Sequence, residues 1–331
     1  MSQNETFRTV IKSVHSDFNI SHTQAILCMG SCFADHIGEQ LKAHKFPVSV
    51  NPLGVLFNPL SIADSLQRLL HPRPLTEDSL FFHGDCWNSY AFHGRFSHPD
   101  KDCCLRQIQQ SLDEARNFLL RTDFLFITLG SNGVYRLKSS GEVVANCHKM
   151  PAGMFEKQAL SVEEMKKPFE DLLLEIQKVR PDIRILLTVS PVRYIKNDFT
   201  ENSYSKACLR ILVHELCRKY EWVRYFPAYE ILIDDLRDYR FYAADRVHPS
   251  EEAINYIWNY FSDTYFTEET LLLNRQLDEV RAAFQHRVLF PQTDAFRQFC
   301  RQSLEKINSL SALHPTLDFS EEKTYFEQFG R

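Results

Sequence analysis

The sequence predicts an α/β protein built on a parallel sheet with helices on both faces. Two observations carry this. Apolar runs and amphipathic helical stretches alternate from residue 25 to residue 261. The runs at 25–29, 124–129 and 183–189 are apolar at nearly every position, as buried strands are. Ligands of such sheets bind beyond the carboxyl ends of the strands. The turns after each run are therefore where chemistry is expected.

The first run stops at Gly30, which can take a sharp turn that a side chain would hinder. From Phe33 the period becomes helical, with Phe33, Ile37 and Leu41 on one face. Ser31 thus stands between a strand and a helix, beside the free N–H groups of a helix N-terminus. Upstream, alternation over 7–15 predicts an edge strand. A second strand is expected at 47–50, followed by a structured loop, Asn51-Pro52-Leu53-Gly54, that runs to Asn58-Pro59. Ser61 is expected to cap a helix reaching about residue 70, ended by Pro72 and Pro74.

Residues 80–99 form an insertion rich in Phe, Tyr, Trp and His, read as an aromatic lid or a packed loop. Its His83, His93 and His98 fit no zinc spacing, so no metal is expected. A helix at 105–120 leads to the strand at 124–129, which breaks at Gly130-Ser131-Asn132-Gly133. Strands 134–137 and 143–145 flank Ser139-Ser140-Gly141, a hairpin signal. Ser161 and Glu164 form a capping box for a helix to about residue 179, stopped by Pro181. The strand at 183–189 ends in Ser190-Pro191-Val192-Arg193. A helix at 203–219, a strand at 222–226 and a helix at 251–261 complete the alternation. Asp245-Arg246-Val247-His248 precedes the last of these. Beyond residue 266 the pattern is only helical, at 268–286 and 294–310, with a polar tail and a short aromatic helix from residue 314. The expected organisation is a catalytic region at 1–266 and a helical extension at 267–331 packed on the same domain.

The 331 residues carry 38 basic and 43 acidic side chains, a net charge of −5, with no basic stripe. Nucleic acid and anionic membranes are therefore poor partners. No apolar stretch approaches the ~18 residues of a membrane span, and residues 1–19 lack the apolar core of a signal peptide. The nine cysteines follow no framework spacing and read as reduced thiols of a cytoplasmic protein.

Acyl transfer needs a nucleophile, a base, a group to orient the base, and donors for the oxyanion. Ser31 can be the nucleophile. His248 can be the base, because Asp245 lies three residues before it and can reach its other ring nitrogen. The Ser31 N–H, the Gly54 N–H and the Asn132 side chain can be the donors. Each signal alone has a plainer reading: a helix cap for Ser31, and a capping Asp with a surface His for the pair. Cys32 is a second nucleophile candidate at the same helix start, or a residue packed beneath the turn. Arg193 can clamp an acidic substrate group or pair with a surface carboxylate.

The order Ser, Gly, Gly-x-Asn, Asp-x-x-His resembles that of the SGNH (GDSL-like) hydrolases. Gly30-Ser31-Cys32-Phe33-Ala34 sharpens this: it is similar to the signature of the GSCFA domain family, a bacterial branch of that superfamily. Asn51-Pro52-Leu53-Gly54, Asn146-Cys147-His148-Lys149, Ser190-Pro191-Val192-Arg193 and the segment from Arg240 to Ser250 also resemble that family. The resemblance covers roughly residues 7–261. It implies a three-layer α/β/α fold with a mostly parallel, flavodoxin-like sheet. It also implies Ser31, Asp245 and His248 as a triad, with Gly54 and either Asn132 or Asn146 completing the oxyanion site. That chemistry uses no cofactor.

The leading expectation is a serine esterase or deacylase acting on a small-molecule or carbohydrate acyl ester, such as an O-acetyl sugar. The alternatives are an O-acyltransferase with the same triad, using the aromatic insertion to exclude water, and a binding module that keeps the fold. The C-terminal helices are open to a partner or a second copy of the chain, as well as to covering one flank of the sheet.

Overall fold

The computed structural model describes residues 8–195, 198–287 and 289–329. In chain order its strands are β1 (Ile26–Gly30), β2 (Val48–Val50), β3 (Phe81–His83), β4 (Cys86–Asn88), β5 (Phe124–Leu129), β6 (Gly133–Leu137), β7 (Val143–Val144), β8 (Phe155–Ala159), β9 (Arg184–Val189) and β10 (Val223–Tyr225). The helices are α1 (Cys32–Ala43), α2 (Pro59–Leu70), α3 (Lys101–Leu119), α4 (Val162–Val179), α5 (Phe199–Lys219), the short α6 (Ala228–Glu230), α7 (Glu251–Tyr265), α8 (Glu268–Gln285), α9 (Asp294–Leu313) and α10 (Ser320–Phe329).

Five strands form one parallel sheet in the order β2-β1-β5-β9-β10. The chain leaves β1 toward one edge and returns to build the other, so the order reverses between β1 and β5. That reversal opens a crevice at the carboxyl ends of β1 and β5, where doubly wound proteins bind ligands. Alternation along the strands explains the two faces. Leu27, Met29, Leu125, Ile127, Ile185 and Leu187 join a core with Ile62 and Leu66 of α2, Phe169 of α4 and Leu209 of α5. Ile26, Cys28, Phe124, Phe126 and Leu186 face the other way, onto Phe33 and Ile37 of α1 and Ile257 and Phe261 of α7. This is the three-layer arrangement. Each large side chain fully buried here stabilises the fold by roughly 1.5–3 kcal/mol.

Several local expectations need correction. The 7–15 segment forms no strand over its described residues, 8–15; pairing begins only with an isolated bridge from Ile20 to Phe266. The cap of α2 is Asn58, whose Oδ1 accepts the Ser61 N–H at 2.8 Å, with Pro59 as the first helical residue. Proline suits that position because its missing N–H would have no partner there. The 80–99 insertion is packed: β3 and β4 pair, Phe81 stacks on Tyr90 at 4.0 Å, and Phe92 and Phe96 are buried in the core. A third strand, β8, joins the β6–β7 hairpin. Its residues Phe-Glu-Lys-Gln-Ala carry too little apolar pattern to announce it.

The C-terminal helices build a small core of their own from Leu273, Leu277, Phe296, Cys300, Ile307 and Phe326. Phe326 is fully buried, so the last aromatic helix is a core element and not part of a tail. This unit meets the sheet domain through the Lys45–Glu322 ion pair at 2.8 Å and the His44–Asp278 contact at 3.2 Å. No helix among the described residues is long and apolar enough to cross a membrane.

His22 lies at this junction, stacked on Phe46 at 4.1 Å, with Nε2 3.0 Å from the His44 carbonyl. Burial pushes it down to about 4. Its folded value lies below its ordinary one, so the unfolded chain binds more protons between the two. The stability it contributes is present above about pH 6.5 and is lost as pH falls toward 4. Thermal melts from pH 7 to pH 4 should therefore fall less steeply in His22→Phe than in the wild type. Equal slopes would remove His22 from the account.

Candidate active site

Ser31 follows β1 directly and caps α1, its Oγ accepting the Phe33 N–H at 3.3 Å. It is 4% exposed. The turn before it depends on Gly30, whose φ of +134° few side chains adopt. Gly130, after β5, lies against Phe57 and Ser31: a methyl group built there would stand 2.8 Å from Phe57 Cβ and 3.4 Å from Ser31 Cβ. The first turn of α1 thus sits in the crevice where the strand order reverses.

Asp245 and His248 form a complete hydrogen-bonded pair. One carboxylate oxygen, Oδ1, accepts the N–H groups of Val247 at 2.9 Å and His248 at 3.0 Å. The other accepts from His248 Nδ1 at 2.6 Å. The imidazole first, then those backbone donors, hold the Asp245 carboxyl well below the usual carboxylate range. An ionised carboxylate can only accept, so Nδ1 is the donor of this bond and Nε2 is the ring nitrogen left to exchange a proton. That is the arrangement a general base requires. The pair is about half exposed, at 43% for His248 and 50% for Asp245.

The helix that follows the dyad, α7, lies beside α1, with Gln40 Nε2 donating to Asn255 Oδ1 at 3.1 Å, but His248 makes no hydrogen bond to Ser31. Burial pushes His36 of α1 below its ordinary value, with Asp35 acting in the opposite direction. The loop after β9 supports the dyad, since the Arg193 N–H donates to Val247 O at 3.1 Å. The Arg193 side chain packs on two tyrosines. Its guanidinium lies 3.9 Å from the Tyr242 ring centre and 5.1 Å from that of Tyr239, cation–π contacts that tie it to the segment before Asp245.

The proposed oxyanion donors each have an internal partner. The Ser31 N–H donates to Thr128 O at 3.1 Å, the Gly54 N–H to Asn51 O at 2.8 Å, and Asn132 Nδ2 to Leu160 O at 2.8 Å. Asn132 is 2% exposed. Asn146 differs: its Oδ1 accepts the His148 N–H at 2.8 Å, and its Nδ2 donates to no protein atom among the described residues. It lies beside Gly94, where an added methyl group would stand 3.8 Å from Nδ2. Cys32 is half-buried at the start of α1. Burial, then Asp35, push its thiol up, so it stays protonated near neutrality.

A family model described as the GSCFA family matches residues 25–261, and one described as the GSCFA C-terminal domain matches residues 277–329. The chain belongs to the GSCFA family. Among curated protein sequences none matches it. Two solved structures are similar to this GSCFA chain. One is a carbohydrate esterase family 3 protein from Talaromyces cellulolyticus, 9% identical, covering 76% of this chain and 98% of that one, with a TM-score of 0.32. The other is a family 3 carbohydrate esterase from Clostridium thermocellum, 16% identical, covering 77% and 98%, with a TM-score of 0.29.

Residues beyond the sequence-based set also shape this GSCFA site. Asn51, buried at φ +41°, joins three segments. Its Oδ1 accepts the Gly30 N–H at 2.8 Å, its Nδ2 donates to Asp35 at 2.6 Å, and its carbonyl accepts the Gly54 N–H. His93 lies directly on Gly54, where a side chain would come within 2.2 Å of His93 Cβ. The positive φ of Gly54 and this contact together require glycine. Phe57 O accepts both the Gly130 and the Ser131 N–H, at 2.7 and 3.0 Å. The Asn-Pro punctuation signalled a loop, but not which backbone groups its side chains would hold.

His98, Asp100 and Cys103 bring ligand-type atoms within 4.8 Å of one another. Their chemistry is that of a helix cap. Asp100 accepts the Cys103 N–H at 2.7 Å, His98 Nδ1 accepts the Asp100 N–H at 3.0 Å, and the Arg106 guanidinium occupies Cys103 Sγ at 2.9 Å. A cation placed there would meet that guanidinium.

Proposed function

We propose that this chain is a serine esterase that removes an O-acyl group, with acetyl on a carbohydrate as its substrate class. The observation that carries the reading is the Asp245–His248 pair, hydrogen-bonded at 2.6 Å with no protein partner on Nε2 among the described residues, in a chain that also presents Ser31 where β1 meets the N-terminus of α1. In this reading Nε2 takes the Ser31 proton as Oγ attacks the ester carbonyl. The imidazolium then protonates the leaving alcohol, and Asp245 stabilises the charge. Water, activated by the same nitrogen, releases the acid from the acyl-enzyme. The oxyanion donor this reading favours is the Asn146 amide, which makes no other donation to protein among the described residues, whereas the Gly54 N–H is held by Asn51 O and the buried Asn132 amide by Leu160 O.

The test is covalent labelling with a fluorophosphonate followed by peptide mapping. The label is expected on the peptide containing Ser31, with acetate released from an acetylated-sugar panel. Label confined to another residue, or none at all, overturns the reading.

A further inference from the structure

Lys206 lies on the buried face of α5, with Leu209, Leu212, Val213 and Leu216. It is 2% exposed. Its Nζ donates to Gly130 O at 2.7 Å and to Ser190 O at 2.8 Å. Neither partner is a carboxylate. An ammonium in such a place is costly, and a methionine would fill the same volume without that cost. Departures from a local rule of this kind concentrate at functional sites.

The two carbonyls explain what the ammonium is for. Gly130 and Ser190 are the residues that follow β5 and β9, whose ends pair at Leu129 and Val189. Gly130 packs on Ser31. Three residues beyond Ser190, the Arg193 N–H holds Val247 O, beside His248. One side chain therefore ties together the strand ends from which both halves of the site hang.

Resting on the esterase reading above, we propose that Lys206 is a positioning residue. Its ammonium clamps the carboxyl ends of β5 and β9, fixing the Gly130 turn against Ser31 and the segment that supports the His248 loop. The titratable groups facing it are Cys32 from α1 and Tyr229 from α6, whose ring centre is 5.9 Å away. Burial pushes Lys206 down to about 7, with Cys32 acting in the opposite direction.

The experiment is steady-state hydrolysis of an acetyl ester by full-length wild type and Lys206→Met, with thermal melts to establish that the variant is folded. A nucleophile and base displaced by about 1 Å lose roughly 10²-fold in rate. The kcat of Lys206→Met should fall by about that factor, with KM within about twofold. A folded variant with unchanged kcat overturns the proposal, as does a rise in KM alone. If the variant does not fold, Lys206→Gln, which keeps side-chain N–H donors for the Gly130 and Ser190 carbonyls, decides by the same split: kcat should fall with KM within about twofold. A folded Lys206→Gln with unchanged kcat overturns the proposal. A wild type with neither turnover nor Ser31 labelling overturns the esterase reading and this inference with it, whereas an active wild type matched by the variant overturns this inference alone.

Discussion

Replacing Ser31 with alanine should lower ester turnover by roughly 10⁴–10⁶-fold, the scale on which serine enzymes lose rate when their nucleophile is removed. The fold should survive. Ser31 Oγ makes one hydrogen bond, to the Phe33 N–H at 3.3 Å, and caps α1. Losing such a cap costs about 1 kcal/mol, a shift of a few degrees in Tm. The core of α1, with Phe33, Ile37 and Leu41 all buried, is untouched. The measurement is turnover of an acetyl ester alongside a thermal melt. Turnover within about tenfold of wild type in the folded variant would sink Ser31 as the nucleophile and turn attention to Cys32, its partly exposed neighbour.

Gly30→Ala should do the reverse, damaging the fold before any question of rate arises. A Cβ at residue 30 would lie 2.2 Å from Thr128 O and 2.8 Å from Thr128 C, and the backbone there has φ +134°. The obstructing atoms belong to β5, the neighbouring central strand, which is paired on both sides and cannot retreat. Clash and strain together should cost on the order of 3–5 kcal/mol, a large part of the ~5–15 kcal/mol that holds a domain folded. Gly153→Ala is the control, since nothing lies within 4 Å of a Cβ there. It should change stability by less than about 0.5 kcal/mol. Denaturant titrations of both variants make the comparison, and a Gly30→Ala midpoint equal to that of the control would disprove the clash.

The three middle strands of the central sheet were legible because they are apolar at nearly every position. Phe124–Leu129 matches its run residue for residue. The pairing order was not, because period and composition say nothing about which strand lies next to which. The segment at 7–15 misled for the opposite reason: alternation alone signals a strand, but no free sheet edge meets it. Asp245 and His248 were found from spacing, since a turn of three residues is short enough to bring carboxylate and ring together. The hydrogen bonds of Ser31 and Asn132 could not be foreseen, because their acceptors Thr128 and Leu160 lie on other segments. Lys206 did leave a signal, a lysine on an otherwise apolar helical stripe. Its partners are backbone carbonyls and have no letter in the sequence.

Asn51, Asn58 and Asn132 each hold backbone groups around the crevice, and the residue that follows each one sets its chemical lifetime. Asparagine ages when the next residue's backbone nitrogen attacks the side-chain amide and closes a ring, leaving aspartate. Asn51 and Asn58 precede Pro52 and Pro59, whose nitrogens carry no hydrogen to lose, so that route is closed to them. Asn132 precedes Gly133, the most permissive neighbour, but the Gly133 N–H is tied to Ser131 Oγ at 3.0 Å and the Asn132 amide to Leu160 O. At Asn51, ageing would set a new carboxylate against Asp35 where an amide now donates at 2.6 Å. The chain's own order of residues protects the crevice against that slow chemistry.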